Sequence, residues 1–332
     1  GRVSFVFPLA FQLVFVATSA TLISILPESP RWLLKQGRRD ECRQVLSRLD
    51  PGNEAAVDAR LAQIVEAVEL EMGAGDNQYR QLISNGPTQN FRRLCLACGT
   101  MIMHQLTGIN SVTYYVPTLL ITFAKTSHDT ALWVAGLTSI LSAVFATIPV
   151  LTIDHIGRRP LLWGGCILQC LTWVIVAALL ATQPPPTDKD SHTFGVAAVA
   201  MLYLFFCINA ATWLGPSWAY PAEILPLQIR EKGLALGNVC YWLFQFMMVE
   251  ITPIALHNIG YKFYIILAVF NIVDAAIIFF VFPETKGLSL EEIDFKFAER
   301  FVDDSRKMQG IPGFSKKSEV GASEVEKIES VP

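Results

Sequence analysis

The chain has 332 residues, of which 52% are hydrophobic and 17% are charged, and its formal net charge is −3. This composition is too apolar for an ordinary soluble domain of that length, and the small net charge gives no sign of a nucleic-acid partner. We therefore expect a lipid bilayer to surround most of the chain.

Seven apolar stretches are long enough to cross a bilayer. Hydrocarbon about 30 Å thick needs roughly 20 apolar residues of helix, because backbone groups left unpaired in lipid are costly. The stretches run approximately over residues 5–26, 94–123, 131–153, 161–181, 194–214, 234–256 and 261–282. The pattern predicts an all-α membrane protein with seven transmembrane helices.

The segment between the first two spans, residues 28–93, is predicted to contain short amphipathic helices. Apolar residues recur at helical spacing in 39–49 and 54–72, and Asn53 is a candidate N-cap for the second helix. The tail, residues 283–332, has few large apolar side chains from about residue 303, which predicts disorder there.

Basic residues predict the orientation in the membrane. Residues 28–93 carry ten Arg or Lys side chains, whereas the loops on the opposite side carry few, and positive charges near helix ends stay in the cytoplasm. We therefore expect residues 28–93 and the tail to be cytoplasmic and the amino terminus to lie outside, with the plasma membrane as the location.

A short motif that occurs twice predicts how the spans are grouped. Leu26-Pro27-Glu28-Ser29 closes the first span and Phe282-Pro283-Glu284-Thr285 closes the last, with six spans between the two. Parallel six-helix repeats are typical of major facilitator transporters. The pattern predicts that residues 1–27 are the sixth helix of an amino-terminal half whose other helices lie outside this sequence. Residues 94–282 would then be a complete carboxyl-terminal half.

Five motifs resemble those of the sugar porter family of the major facilitator superfamily, especially its fungal members. They lie in this order along the chain: PESPRWL (27–33), QLTGIN followed by Tyr-Tyr (105–115), DHIGRRP (154–160), GPSWAYPAEILPLQIREKG (215–233) and PETKGLSLEEID (283–294). The resemblance covers the chain from the sixth helix of the family onward. It implies that no catalytic residue, metal or cofactor is needed, so the protein is not expected to be an enzyme.

The second span supplies two neutral amides suited to sugar hydroxyls, which both donate and accept hydrogen bonds. Gln105 and Asn110 would point about 140° apart on an unbroken helix. Gly108 between them permits a local break, after which both would face one cavity. The resemblance implies that both contact the sugar, whereas the alternative is that they bond neighbouring helices.

The resemblance implies further substrate-binding residues. Trp218, between two prolines, would form an aromatic wall beside the sugar, and Trp242 and Gln245 match a family Trp and a site-facing Asn. His104 stands where the family has a second Gln, so it is either a sugar contact or a neutral side chain bonded by a neighbouring helix. Trp218 has its own alternative as an ordinary packed indole.

Two further groups have expected roles in conformational change. Tyr114 and Tyr115 would form an outer gate over the sugar, the alternative being an interfacial aromatic belt. Arg and carboxylate side chains at the inner helix ends would form a cytoplasmic latch that opens as the halves rock, the alternative being topology signals alone. The latch residues are Glu28, Arg31, Asp154, Arg158, Arg159, Glu223, Arg230 and Glu284.

Two acids, Glu250 and Asp274, fall inside apolar spans, where an ionisable residue is a candidate functional group. Together these features predict an alternating-access carrier for a monosaccharide or related polyol, with sugar and lipid as partners and protons as a candidate partner. The alternatives are a non-transporting sugar sensor on the same scaffold and a fragment that is inactive alone. Which sugar is bound does not follow from the sequence.

Overall fold

A computed structural model describes residues 2–50, 52–73, 78–84, 88–123, 125–184, 190–226, 228–288 and 292–298. Every regular element within these ranges is helical. The chain divides into two compact units, residues 1–76 and 77–332, and each is described by itself. The predicted disorder from residue 303 lies outside the described residues.

The first unit contains four helices: α1 (Arg2–Ile25), α2 (Pro30–Lys35), α3 (Arg39–Leu49) and α4 (Glu54–Gly73). Within α1, every side chain described between residues 10 and 25 is exposed, and this stretch is apolar. An apolar helix with no covered face requires lipid or other helices around it.

Helices α2, α3 and α4 form a small domain of their own. Their apolar faces meet in one cluster that includes Leu33, Cys42 and Leu61, so the amphipathic pattern of the sequence is used to cover a local core. The side chain of Asn53 accepts a hydrogen bond from the backbone N–H of Ala56 at 3.2 Å, as an N-cap does.

The second unit contains eleven further helices that are numbered here, and residues 292–298 are also helical. Their bounds are α5 (Gln78–Leu82), α6 (Asn90–Leu106), α7 (Ile109–Thr113), α8 (Val116–Phe123), α9 (His128–Phe145), α10 (Thr147–Ile156), α11 (Arg158–Ala181), α12 (Asp190–Thr212), α13 (Pro216–Ile224), α14 (Arg230–Ile259) and α15 (Lys262–Val281).

Five helical stretches in this unit are long and apolar enough to cross a membrane. They are His128–Ile156, Arg158–Ala181, Asp190–Ile224, Arg230–Ile259 and Lys262–Val281. These coincide with the last five predicted spans. The second predicted span is not one helix, because the chain breaks near Gly108 into α6, α7 and α8.

Two apolar clusters hold the second unit together. One surrounds Trp173, Phe205 and Tyr264, where α11, α12 and α15 meet. The other surrounds Trp213 and Tyr220 and lies nearer the first turn of α11. Helix α11 packs along both α12 and α15, and α14 packs along α6, so α11 and α6 are the central supports.

A buried arginine ties α6 to the chain that follows the last span. The Arg93 side chain is fully covered and forms an ion pair with Asp294. Its guanidinium also lies 4.1 Å from the centre of the Phe297 ring. The side chain of Gln89 donates to the Phe297 carbonyl at 2.8 Å, which adds a second tie. The helical residues 292–298 are therefore attached to the start of α6.

Removing the Asp294 carboxylate should destabilise the protein. In Asp294→Ala the buried guanidinium would lose its counter-charge, at a cost of about 1–3 kcal/mol. We expect a lower thermal transition, measured by intrinsic fluorescence of the purified full chain.

The matched control is Asp58→Ala. Asp58 also pairs with an arginine, Arg43 at 3.0 Å, but both side chains of that pair are exposed. Exposed pairs contribute about 0–1 kcal/mol. Equal losses in the two variants would show that the burial of Arg93 adds nothing.

Candidate functional site

The site is built on the break between α6 and α7. Gly108 has a φ of +93°, a conformation that glycine adopts readily and that ends α6. A methyl group added here would also lie 2.8 Å from Leu267 Cδ1 and 3.0 Å from Trp173 Cζ2. Both the backbone angle and the close approach therefore require glycine at this position.

The break leaves carbonyl groups at the end of α6 without helical partners, and side chains of other helices bond one of them. The Thr107 carbonyl accepts hydrogen bonds from Trp173 Nε1 at 2.9 Å and from Asn271 Nδ2 at 3.2 Å. In an apolar interior this satisfies a group that would otherwise cost free energy. Trp173 and Asn271 thus support the break, and neither was expected from the sequence. A lone amide such as Asn271 in an apolar span was the available signal.

The break brings the two predicted amides together. Asn110 Nδ2 donates a hydrogen bond to Gln105 Oε1, although the two would diverge on a continuous helix. Asn110 is half-buried, while Gln105 is fully covered. The Asn110 amide is therefore partly accessible. The covered Gln105 side chain orients it through the hydrogen bond.

Aromatic side chains lie beside these amides. Trp218 is 42% exposed, on α13, just after the interruption between α12 and α13. Its ring centre lies 5.2 Å from that of Tyr241 on α14. The Tyr241 hydroxyl interacts with the side chains of Gln105 and Asn110. Tyr241 therefore connects the two amides to Trp218. The sequence did not indicate Tyr241, because the family resemblance indicated its neighbour Trp242 instead.

His104 lies behind this surface. It is 2% exposed, its Nδ1 is 3.2 Å from Ser217 Oγ, and its ring stacks on the indole of Trp213 at 5.7 Å. The described contacts of His104 are therefore with a neighbouring helix, and its role as a sugar contact stays a prediction. Trp213, fully buried, was not selected from the sequence.

The predicted gate residues have different surroundings. The Tyr114 hydroxyl accepts a hydrogen bond from Gln245 Nε2 at 2.9 Å on the exposed side. Tyr115 is half-buried and donates to the Val249 carbonyl at 3.0 Å. Trp242 is exposed and meets Tyr241 edge-on at 5.4 Å. Tyr114, Gln245 and Trp242 thus share the accessible side with Asn110.

Part of the predicted latch is assembled at the first turn of α11. Arg158 Nε and Nη2 bond the same oxygen of Glu223 at 3.0 and 2.8 Å, and both side chains are mostly covered. Asp154 also pairs with Arg158 at 3.0 Å but is largely exposed. Thr285 donates to the second oxygen of Glu223 at 2.7 Å. This cluster connects α10, α11, α13 and the chain after α15.

The Glu284 carboxylate bonds the backbone at the start of α11. Its two oxygens accept the N–H groups of Arg158 at 3.0 Å and Arg159 at 3.1 Å, at the start of α11. A carboxylate there satisfies free helix N–H groups and faces the positive end of the helix dipole. A Cβ at Gly157 would lie 2.8 Å from Glu284 Oε2, so glycine is needed for the approach.

Two further latch residues bond backbone carbonyls through their side chains. The Arg159 guanidinium donates to the Phe279 carbonyl, and Arg230 Nε donates to the Leu225 carbonyl at 3.1 Å. Glu28 and Arg31 belong to the other unit. Within the second unit, the structure thus joins Arg158 to Glu223, Asp154 and Glu284.

The fold and motifs belong to a recognised family of transporters. The family model described as "Sugar (and other) transporter" matches residues 2–297. The chain is therefore a member of the sugar transporter family of the major facilitator superfamily, an all-helical family of integral membrane proteins.

Curated relatives include fungal transporters. The chain is 35% identical over 298 residues to the MFS-type transporter oryC of Aspergillus oryzae, covering 89% of this chain and 55% of that protein. It is 31% identical over 299 residues to the sugar transporter STL1 of Saccharomyces cerevisiae, covering 90% and 51%. It is 33% identical over 292 residues to a high-affinity glucose transporter of Kluyveromyces lactis, covering 82% and 52%. The chain thus spans about half the length of these relatives.

Solved structures share the fold. The proton:xylose symporter XylE bound to 6-bromo-6-deoxy-D-glucose superposes with a TM-score of 0.65 at 23% identity, covering 83% of this chain and 56% of that one. The inward-open xylose transporter XylE from E. coli gives 0.58 at 22%, covering 83% and 53%. At these identities the likeness establishes the major facilitator fold.

Replacing Gly108 should disrupt the break on which the amide pair depends. Gly108→Ala would force a side chain into the left-handed region and against Leu267, at a cost of about 1–3 kcal/mol. We expect a lower thermal transition of the purified chain and separation of Gln105 from Asn110.

Gly99→Ala is the control on the same helix. No atom lies within 4 Å of a Cβ at Gly99, and alanine there should leave stability unchanged or raise it by about 0.5–1 kcal/mol. If both variants moved the transition equally, Gly108 would have no special place in the break.

Proposed function

We propose that this chain is the carboxyl-terminal part of an alternating-access carrier for a monosaccharide or related polyol in the plasma membrane. The observation that carries the proposal is the break at Gly108, which sets the Gln105 and Asn110 amides side by side next to Tyr241 and Trp218. Neutral amides suit hydroxyls that both donate and accept, and an aromatic face suits the apolar side of a sugar ring.

The relatives support the substrate class. STL1 is described as a sugar transporter and the Kluyveromyces lactis relative as a high-affinity glucose transporter. The XylE structure is described as that of a proton:xylose symporter. A sugar substrate, with protons as a candidate second ligand, follows by family membership. Residues 28–93 and the tail would be cytoplasmic, as the basic residues indicate.

Within the proposed site, accessible and covered side chains would have different roles. Asn110, Trp218, Tyr114, Gln245 and Trp242 are accessible and would contact the sugar or close over it. Gln105, which is covered, would act mainly by orienting Asn110. The transport event itself is binding and conformational change, with no covalent step.

Asn110→Ala should reduce transport. Loss of one hydrogen bond to the sugar of about 1.4 kcal/mol corresponds to about a tenfold loss of apparent affinity. The measurement is uptake of labelled hexose, pentose and polyol by the full-length protein in transporter-deficient cells. The matched control is Thr113→Val on the same short helix, because the Thr113 hydroxyl bonds only the Ile109 carbonyl of its own helix among the described residues. Absence of uptake by a correctly inserted wild type would favour a sensor instead.

His104→Gln should leave the rank order of competing sugars unchanged. The ring is covered and bonded towards Ser217, so a change of side chain should act on packing. A competition uptake panel with hexoses, pentoses and polyols checks this. A reordered panel would show that His104 contacts the sugar after all.

Glu223→Gln should shift the balance between inward-facing and outward-facing forms without abolishing sugar binding. The charge-assisted bonds from Arg158 would be weakened in a mostly covered cluster. Accessibility of engineered cysteines in the full-length protein reports the balance. Asp154→Asn is the control, since its pair with the same Arg158 is exposed and should contribute little. An unchanged balance in both variants would argue against a latch at this position.

A further inference from the structure

The interface of α11 with α15 contains polar groups that the proposed sugar site does not use. The two helices run antiparallel, with Trp163 against Phe279 at 5.7 Å near one end and Trp173 against Tyr264 at 5.5 Å near the other. Between these contacts the register places Gln169 opposite Asn271 and Cys166 opposite Asp274. An electrostatic interaction between Cys166 and Asp274 agrees with this register.

These polar side chains are buried and incompletely bonded. Gln169 and Asn271 are fully covered, and Asp274 is 4% exposed. Among the described residues, no hydrogen-bond partner reaches either amide atom of Gln169, Oδ1 of Asn271 or Oδ2 of Asp274. Buried polar atoms without partners are uncommon, and a functional role is one explanation for them.

The surroundings of Asp274 favour a neutral acid. Cys166 on α11 is the titratable group that interacts with it. From α6, the titratable His104 stacks on Trp213, which interacts with Cys166. The charged side chains of α14 are Arg230, Glu231 and Lys232 in its first turn and Glu250 farther along the helix. A carboxylate here would be a buried charge with no counter-charge, which is much more costly than a neutral acid.

A proton on Asp274 would also complete the hydrogen bonding. Asn271 and Asp274 are three residues apart, on one face of α15. The oxygens of Asn271 and Gln169 both lack donors, and the neutral acid supplies an O–H group that either can accept. The carbonyl oxygen of the neutral acid remains an acceptor for Gln169 Nε2, which also lacks a partner among the described residues, so the neutral acid can both donate and accept here.

We propose that Asp274, Gln169 and Asn271 form a proton-binding site inside the α11–α15 interface, in which Asp274 takes up and releases the proton and the two amides bond the neutral acid. The site does not include the amide pair on α6 and α7, although Asn271 also donates to the Thr107 carbonyl that lies between the two amides, and it does not require a sugar. It would give this part of the carrier a proton site of its own.

The test is infrared difference spectroscopy of the full chain in lipid nanodiscs, between acid and alkaline pH and without sugar. We expect a carboxylic acid band that appears as pH falls and is absent from Asp274→Asn. Glu250→Gln is the matched control, because Glu250 is an exposed acid on α14 and its removal should leave that band in place. Identical difference spectra for wild type and Asp274→Asn would overturn the proposal.

Gln169→Leu keeps the test decisive if Asp274→Asn does not fold. This variant retains the acid but removes one acceptor for its O–H group. We expect the band to change frequency and proton binding to weaken at least threefold. An unchanged band and an unchanged titration would show that Gln169 is not part of a proton site. Because no sugar is present, failure here is distinguishable from failure of sugar transport.

Discussion

The structure depends on the rule that backbone groups in an apolar interior must be bonded within the protein. Gly108 interrupts a membrane helix, and the interruption persists because Trp173 and Asn271 donate to the buried Thr107 carbonyl, which has no partner within the helix. The same interruption turns Asn110 onto Gln105. Support of the backbone and assembly of the amide pair are therefore one structural feature, and side chains from α11 and α15 contribute to a site formed by α6 and α7.

At the start of α11, a single carboxylate also links several elements. Glu284 belongs to a motif that reads as part of an ion-pair latch, yet its oxygens bond the first backbone N–H groups of α11. Arg158 is thereby positioned to meet Glu223. A carboxylate that caps a 24-residue helix and orients its first arginine links the chain after α15 to α11 and α13.

Several elements were accessible to sequence reasoning because they depend on local rules. The amphipathic helices α3 and α4, the Asn53 cap and the five long spans follow from periodicity, capping chemistry and hydrophobic length. Family motifs predicted sugar contacts at Gln105, Asn110 and Trp218, and these stay predictions. Tyr241, Trp173 and Asn271 were missed, because an aromatic or a lone amide in an apolar span shows no periodic signal of which helix it faces.

By itself, the sequence determined the membrane class, the helical segments, the family and the possibility of a break at Gly108, since hydrophobic length, glycine and motif order are properties of the chain. Only the tertiary structure decided that Gln105 and His104 are covered while Asn110 is half-buried, and that Asp274 is buried on α15, which packs along α11. These outcomes depend on the rotation and register of helices distant in sequence. Neither is encoded in the spacing of residues along one helix, because packing between helices selects which face is buried.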